Sequence, residues 1–179
     1  MIPMPHSTLA NDQLFAATMR SPIGPLDVTV DEAGRVVRID MLGDEAPHGD
    51  ATRGPLGAER CLHVFTQLDE YLAGERRQFD LELAPVGTEF QQRVWSVLRT
   101  IPFGSTIAYA DQARRLGNAN ATRAVGAANG RNPLPIVVPC HRVVGKNGAL
   151  VGFAGGVPKK QWLLAHEAAV CAGAAPADS

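Results

Sequence analysis

The stretch YADQARRLGNANATRAVGAANG, residues 109–130, decides the fold of this chain. Its spacing predicts a short helix over about Tyr109 to Leu116, stopped by Gly117. A second helix is expected from about Ala121 to Asn129, capped by Asn120 and ended by Gly130. Two short helices joined by Gly117-Asn118-Ala119 form a helix-turn-helix pattern. The second helix is small-sided: Ala121, Ala124, Gly126, Ala127 and Ala128 surround one long cation, Arg123. Such a helix suits close packing on another helix, or close approach to a nucleic-acid backbone. Gly and Ala cannot make the bidentate base contacts of a sequence reader. DNA held by this helix is therefore expected to be bound through its shape and backbone.

Downstream, NPLPIVVP (residues 132–139) is too rich in proline for a helix or a central strand, and its apolar residues predict a buried, extended segment. It delivers Cys140-His141-Arg142 and then Val143-Val144. The thiolate is the nucleophilic form of cysteine, and a free thiol is only a few per cent ionised near neutrality. An imidazole in reach, directly or through a water, can take its proton, and a third group should orient that imidazole. The other reading of Cys140 is a buried structural thiol. Residues 145–148 form a tight turn, and Phe153-Ala154-Gly155-Gly156 a flexible loop of close approach. Pro158 suits the first turn of a helix running through Trp162, Leu163 and Leu164 to about Val170. Glu167, late in that helix, is either solvent-exposed or the buried partner of a histidine.

Upstream, Thr88-Glu89-Phe90-Gln91 is a capping box, and Phe90, Val94, Trp95 and Leu98 form the apolar face of the helix it opens. Ile101-Pro102-Phe103-Gly104 breaks that helix, and Ala84-Pro85-Val86-Gly87 before it marks a subdomain boundary. In the first half, Leu26–Val30 and Arg35–Met41 read as strands of a hairpin turning at Asp31–Gly34. Residues 43–57 form a loop, and residues 58–73 a helix with Leu62, Phe65, Leu68 and Leu72 at helical spacing. Phe79 to Leu83 reads as a further strand, and the first dozen residues as a loose arm. The expected class is α/β (α+β). A small three-stranded sheet with a helix (1–87) precedes a mostly helical, helix-turn-helix domain (88–170) and a disordered tail (171–179).

Of 179 residues, 45% are hydrophobic and 20% charged, which excludes a disordered chain. No apolar run is long enough for a membrane helix, and no signal peptide is evident, so a cytoplasmic protein is expected. Cys61, Cys140 and Cys171 cannot all pair, and no CxxC is present, which suits free thiols in a reducing compartment. His6, His48, Cys61 and His63 lack a zinc spacing, so no metal is expected. Residues 1–87 hold seven Lys or Arg against fourteen Asp or Glu, whereas residues 88–167 hold ten against three. An acidic half joined to a basic half suggests that only the second meets a polyanion, unless surface charge simply varies by domain.

From Gly87 to Glu167 these segments resemble the methylated-DNA–protein-cysteine methyltransferases (O6-alkylguanine-DNA alkyltransferases). The resemblance rests on Ile136-Val137-Val138-Pro139-Cys140-His141-Arg142-Val143-Val144 preceded by Asn132-Pro133, on Phe90-Gln91-Gln92-Arg93-Val94-Trp95, on Ile101-Pro102-Phe103-Gly104, on Ala121–Gly126 and on Gly155-Gly156. In the first half only Ser21-Pro22-Ile23-Gly24-Pro25-Leu26 adds to it. The resemblance implies that Cys140 accepts an alkyl group, that His141 relays its proton through a water, and that Glu167 completes the chain. It implies that Asn132 ties the reactive segment to the helix-turn-helix, and that Tyr109 donates to a flipped guanine. It further implies that Arg123 fills the gap in the duplex, with Ala124, Gly126, Ala127 and Arg131 on the DNA side. Val143, Phe153, Ala154, Gly155 and Lys160 would shape the base pocket.

The implied reaction is a single-turnover transfer from O6-alkylguanine, with O4-alkylthymine as a second candidate substrate, in duplex DNA approached through its minor groove. The implied protein is a monomer that can bind DNA cooperatively and needs no metal or organic cofactor. Asn118-Ala119-Asn120 departs from the family's proline-bearing turn, and Val151 and Ala154 occupy variable loop positions. Three rivals exist: a sequence-specific DNA-binding regulator, a thiol hydrolase using Cys140, His141 and Glu167, and a non-catalytic lesion sensor. The small-sided second helix counts against the first. Pro139-Cys140 and the charge split fit the second poorly, and retention of Cys140 argues against the third.

Overall fold

Strict alternation in LDVTV makes β2 (Leu26–Val30) a strand with one buried face, carrying Leu26, Val28 and Val30 inward. The computed structural model describes residues 13–43 and 56–174. The expected loose arm lies outside these residues, as does most of the expected 43–57 loop. β2 is the middle strand of a three-stranded antiparallel sheet, between β1 (Phe15–Met19) and β3 (Val36–Met41). Phe15 pairs with Val30, and Leu26 with Met41. Asp31 makes the expected hairpin turn: its carboxylate accepts from the Ala33 and Arg35 amides at 3.0 and 2.9 Å.

The third strand is therefore Phe15–Met19, not Phe79–Leu83. The latter segment makes only one bridge to the sheet, with Val36 N–H donating to Glu82 O and Ala84 N–H to Val36 O, each at 2.8 Å. Gln67 holds it instead, donating to Asp80 O and accepting from Asp80 N–H, both at 2.8 Å. FAATM hides its strand character because alanines interrupt the alternation. Ala16 and Ala17 are nonetheless both buried, one on each side of the strand.

The helix α1 (Leu56–Leu72) covers the inner face of the sheet, with Gly57 set directly against the Ala16 carbonyl. Its buried face is Gly57, Cys61, Val64, Leu68, Tyr71 and Leu72. The expected stripe was rotated: Leu62 is 61% exposed, and Phe65 only flanks the core. Cys61 belongs to this face, its thiol donating to Val28 O at 3.4 Å.

Helix α2 (Glu89–Leu98) opens with the expected capping box, Gln91 N–H donating to Thr88 Oγ1 at 3.2 Å and Thr88 N–H to Gln91 Oε1 at 2.9 Å. A two-residue strand, β4 (Ile107–Ala108), runs into α3 (Tyr109–Arg115), and Gly117, with φ +79°, turns the chain out of it. The following cap is Asn118 rather than Asn120: its side chain accepts from Asn120 N–H at 3.2 Å and opens a 3₁₀ turn over Ala119–Ala121. Helix α4 (Thr122–Gly130) continues from that turn. A reciprocal amide pair locks α3 to α4, Gln112 donating to Asn129 at 3.1 Å and Asn129 to Gln112 at 2.8 Å, with both residues buried. Trp95 of α2 donates its indole N–H to Ala128 O at 2.9 Å.

Residues 132–139 are buried but coiled, not extended. Val138 N–H donates to Leu134 O at 2.8 Å, and Ile136 takes φ +73°. The β5 strand (Val143–Val144) pairs in parallel with β4, and α5 (Val157–Cys171) closes the fold. Cys171 is helical, and Ala172, Gly173 and Ala174 donate back to Ala168, Val170 and Ala169, so the ordered chain runs past the expected start of the tail. Residues 175–179 of that tail lie outside the described residues. The two halves dock through backbone and side chain: Ile39 N–H donates to Pro133 O at 2.8 Å, and Lys159 Nζ to Leu42 O at 2.7 Å.

Candidate active site

The coil ahead of Cys140 is fastened by one side chain. Asn132 is buried; its carbonyl accepts from Leu134 N–H at 3.0 Å, and its amide donates to Val138 O at 2.8 Å. Those two bonds wrap the segment around Asn132, at the end of α4, and fix where Cys140 emerges. Cys140, His141 and Arg142 then form a single 3₁₀ turn, all three buried.

Glu167 of α5 meets this turn. His141 Nε2 lies 2.9 Å from Glu167 Oε1. The carboxylate can only accept, so Nε2 carries the hydrogen and Nδ1 holds the imidazole lone pair. Nδ1 is buried and has no hydrogen-bond partner among the described residues. Arg142 donates Nε to both Glu167 oxygens, at 3.1 and 3.0 Å, and Nη2 to Oε1 at 2.8 Å, while its Nη1 reaches Ile101 O at 2.7 Å. Gly104 N–H donates to Oε2 at 2.8 Å, and the hydroxyl of Tyr71 to Oε1 at 2.7 Å.

These contacts set the protonation states. Burial pushes the Glu167 carboxyl up, but the hydrogen bonds and charges of His141 and Arg142 outweigh it and bring it down to about 2. Burial pushes His141 below its ordinary value, against the pull of Glu167. Burial pushes the Cys140 thiol up, opposed by the Asn132 amide and the Lys160 ammonium. At rest the site thus holds a neutral thiol and a neutral imidazole beside a fixed carboxylate. Cys61 differs: burial takes its thiol to about 11, and the negative charge of Asp27 adds to the rise. Cys171 is exposed.

Tyr109, at the start of α3, is half-buried and donates to Val151 O at 3.0 Å, with Gly152 O at 3.3 Å. Lys160 is fully buried, its Nζ held by Val143 O at 2.6 Å and Val151 O at 3.0 Å and set 5.7 Å from the centre of the Tyr109 ring. Lys160 and Tyr109 therefore join β5 to the loop that carries Phe153, Ala154 and Gly155. That loop is closed by Gly156 N–H donating to Phe153 O at 2.9 Å. A cleft of about 760 Å³ reaches Asn132, Ala154 and Gly155 from the outer face of the sheet, but Cys140 does not line it. Arg123, Ala124, Ala127 and Arg131 are exposed, Gly126 is half-buried near the Tyr109 ring, and α4 turns Val125, Ala128 and Asn129 inward.

The structure thus brings Cys140, His141, Glu167 and Asn132 together and sets Tyr109 and Lys160 beside them. Arg123 and Arg131 lie apart, on the outward side of α4. Sequence reasoning missed Tyr71, Arg142 and the Gly104 amide as partners of Glu167. Arg142 had a signal, a cation directly after Cys140-His141. Tyr71 had none, since it lies 96 positions from Glu167. Among the described residues no cluster of three or more His, Cys, Asp or Glu could hold a metal ion, and no helix is long and apolar enough to cross a membrane.

Two family models match the chain: "6-O-methylguanine DNA methyltransferase, ribonuclease-like domain" over residues 14–85 and "6-O-methylguanine DNA methyltransferase, DNA binding domain" over residues 89–169. A methylated-DNA–protein-cysteine methyltransferase of Methanosarcina acetivorans is 44% identical over 157 residues, covering 86% of this chain and 98% of that one. Its namesake from Mycolicibacterium paratuberculosis is 55% identical over 152 residues, covering 84% and 90%. Among solved structures, Mycobacterium tuberculosis OGT in complex with DNA superposes with a TM-score of 0.76 at 42% identity, covering 89% of this chain and 94% of that one.

Proposed function

The chain belongs to the methylated-DNA–protein-cysteine methyltransferase family, and from that premise we propose how its residues divide the work of taking an alkyl group from DNA. Cys140 is the acceptor. The observation that carries this reading is the bond from His141 Nε2 to Glu167, which leaves Nδ1 as an unpartnered buried acceptor in the turn that holds the thiol. His141 Nδ1 takes the thiol proton through a water, and Glu167 stabilises the imidazolium that results. Lys160 favours the thiolate. The sulfur then attacks the alkyl carbon in line, the C–O6 bond breaks, and its electron pair returns to the purine, which takes up a proton as guanine leaves. The product is an S-alkylcysteine thioether, which no water in the site can hydrolyse, so each molecule acts once.

A stacked base cannot reach a buried thiol, so the alkylated guanine must leave the duplex at a cost of about a few kcal/mol. The α3–α4 pair serves as the helix-turn-helix that meets the minor groove, and its outward Ala124 and Ala127 let the backbone approach closely. Arg123 enters the stack in place of the extruded base, and Arg131 adds a phosphate contact. Val143, Phe153, Ala154, Gly155 and Lys160 shape the pocket, and the Tyr109 hydroxyl exchanges its loop carbonyls for the base. In this reading a monomer acts on duplex DNA containing alkylated bases in the cytoplasm, with no metal or organic cofactor.

The direct test is the intact mass after incubation with a duplex containing O6-methylguanine. A gain of one methylene on the Cys140 peptide is expected in the wild type and not in Cys140→Ala, which should still bind DNA. Transfer retained by the variant would remove Cys140 from the mechanism.

A further inference from the structure

We propose that Tyr71, on the helix that backs the N-terminal sheet, is a positioning residue for alkyl transfer: its hydroxyl tunes the basicity of His141 through Glu167. The inference rests on the reading of His141 as the base, and it gives the N-terminal half a part in the chemistry.

The geometry is specific. Tyr71 is fully buried on α1, and its hydroxyl donates to Glu167 Oε1 at 2.7 Å, the same oxygen that accepts from His141 Nε2 at 2.9 Å. Arg142 Nε and Nη2 reach this oxygen as well, at 3.1 and 2.8 Å. Donors on one oxygen compete for its electron density, so a stronger bond from the phenol weakens the carboxylate as a partner for imidazolium. The ring is held independently of that bond. It lies 5.4 Å from the Phe79 ring, 5.8 Å edge-on from Phe103, and 5.5 Å from His166. His166 Nε2 is also 2.8 Å from Tyr71 O and anchors the backbone of the same residue to α5. Phe79 and Phe103 give Tyr71 no polar partner, and Glu167 Oε1 is the acceptor its hydroxyl meets, with Arg142 beside it.

The charged and titratable groups around the pair come from every element packed there. Arg142 and Cys140 share the 3₁₀ turn with His141, Lys160 and His166 lie on α5 with Glu167, and the Gly104 amide approaches from the turn after α2. Arg142 and Lys160 both oppose a positive imidazole. Glu167 is thus the only anionic group among these that favours it, and any donor on Glu167 bears directly on how readily His141 accepts the thiol proton. Tyr71 itself stays un-ionised, because burial and then Glu167 push its hydroxyl well above the ordinary value.

The test is the pH dependence of single-turnover methyl transfer from an O6-methylguanine duplex, with the thermal midpoint of each variant recorded alongside. Tyr71→Phe keeps the ring contacts and removes one donor from Glu167 Oε1. His141 then becomes more basic, and the acid limb of the rate profile moves to higher pH by about half a unit or more. Fluorotyrosine placed at position 71 carries a more acidic hydroxyl, donates more strongly, keeps the fold, and moves the limb to lower pH. Shifts in opposite directions are the expected result. A limb that stays put in both variants, or moves the same way in both while only thermal midpoints change, would make Tyr71 a packing residue and overturn the proposal. Failure of the underlying reading looks different: His141→Gln would then transfer methyl groups at the wild-type rate.

Discussion

Five donor groups converge on the two oxygens of Glu167: the Tyr71 hydroxyl, the Gly104 amide, His141 Nε2, and Nε and Nη2 of Arg142. A buried carboxylate needs that much company to remain an anion. It also means that this one side chain holds the Cys140–Arg142 turn in place and, in the proposed mechanism, serves its chemistry. Glu167→Gln should therefore fail on both counts. Arg142 would be left buried without its counter-charge, which costs about 3 kcal/mol or more, read as a lower urea midpoint. His141 would lose the group that stabilises its protonated form, and single-turnover methyl transfer should fall by roughly a hundredfold or more. A variant with full stability but lost transfer would assign Glu167 to chemistry alone, and the reverse would leave it as a strut. Both Cys140 and Cys61 are buried thiols pushed upward by that burial, so burial does not distinguish them. What separates them is the Lys160 ammonium that acts on Cys140, and the unpartnered His141 Nδ1 in the same turn.

At the scale of elements, α4 presents two different faces. Val125, Ala128 and Asn129 are locked inward by α2 and α3, whereas Arg123, Ala124 and Ala127 face out with nothing packed over them. Ala127→Glu should leave stability within about 0.5 kcal/mol, because an exposed helical position tolerates glutamate. In the proposed binding mode the same change sets a bulky anion where the DNA backbone approaches, and duplex affinity measured by fluorescence anisotropy should drop severalfold. Arg123→Ala should slow repair in duplex DNA more than reaction with the free modified base; equal loss on both would count against insertion of Arg123 into the stack.

Much of this level was legible in the sequence. The capping box at Thr88, the α3–turn–α4 pair and the hairpin at Asp31 each depend on neighbours within a few residues, and local chemistry specifies them. The failures have the opposite cause. The first strand was invisible because its alanines are buried on both faces, a tertiary fact. The stripe on α1 was read one step around the helix because Cys61, Val64 and Tyr71 reach the core while Leu62 does not. Tyr71 could not be found at all, since its partner lies in the last helix. The pairing of the Cys140-His141 turn with Glu167 was legible only because a family pattern spans it; spacing alone left Glu167 open to either reading.

For the molecule as a whole, the same carboxylate ties stability to pH. Glu167 titrates at about 2 in the fold against 4.5 ordinarily, so its contribution is complete above about pH 4.5 and is lost as pH falls toward 2. Its size is on the order of 3 kcal/mol. His141 is pushed below its ordinary 6.5 and is buried neutral, so its contribution is complete above about pH 6.5 and shrinks as pH falls below that. Both act in one direction, and the thermal midpoint should decline steadily from neutral pH into acid. Melting curves between about pH 2 and 8 check this, and a flat profile would deny His141 and Glu167 their part in coupling stability to pH. Because α1, the turn after α2, the 3₁₀ turn and α5 all end on Glu167, the contacts that build the site join distant parts of the chain, and such contacts form late in folding. A ribosome delivers α5 after every other described element. The growing chain therefore carries Cys140 and His141 for a time without the carboxylate that holds the imidazole. In the proposed mechanism, newly made protein takes no alkyl group from DNA until its last helix docks and brings Glu167 to His141.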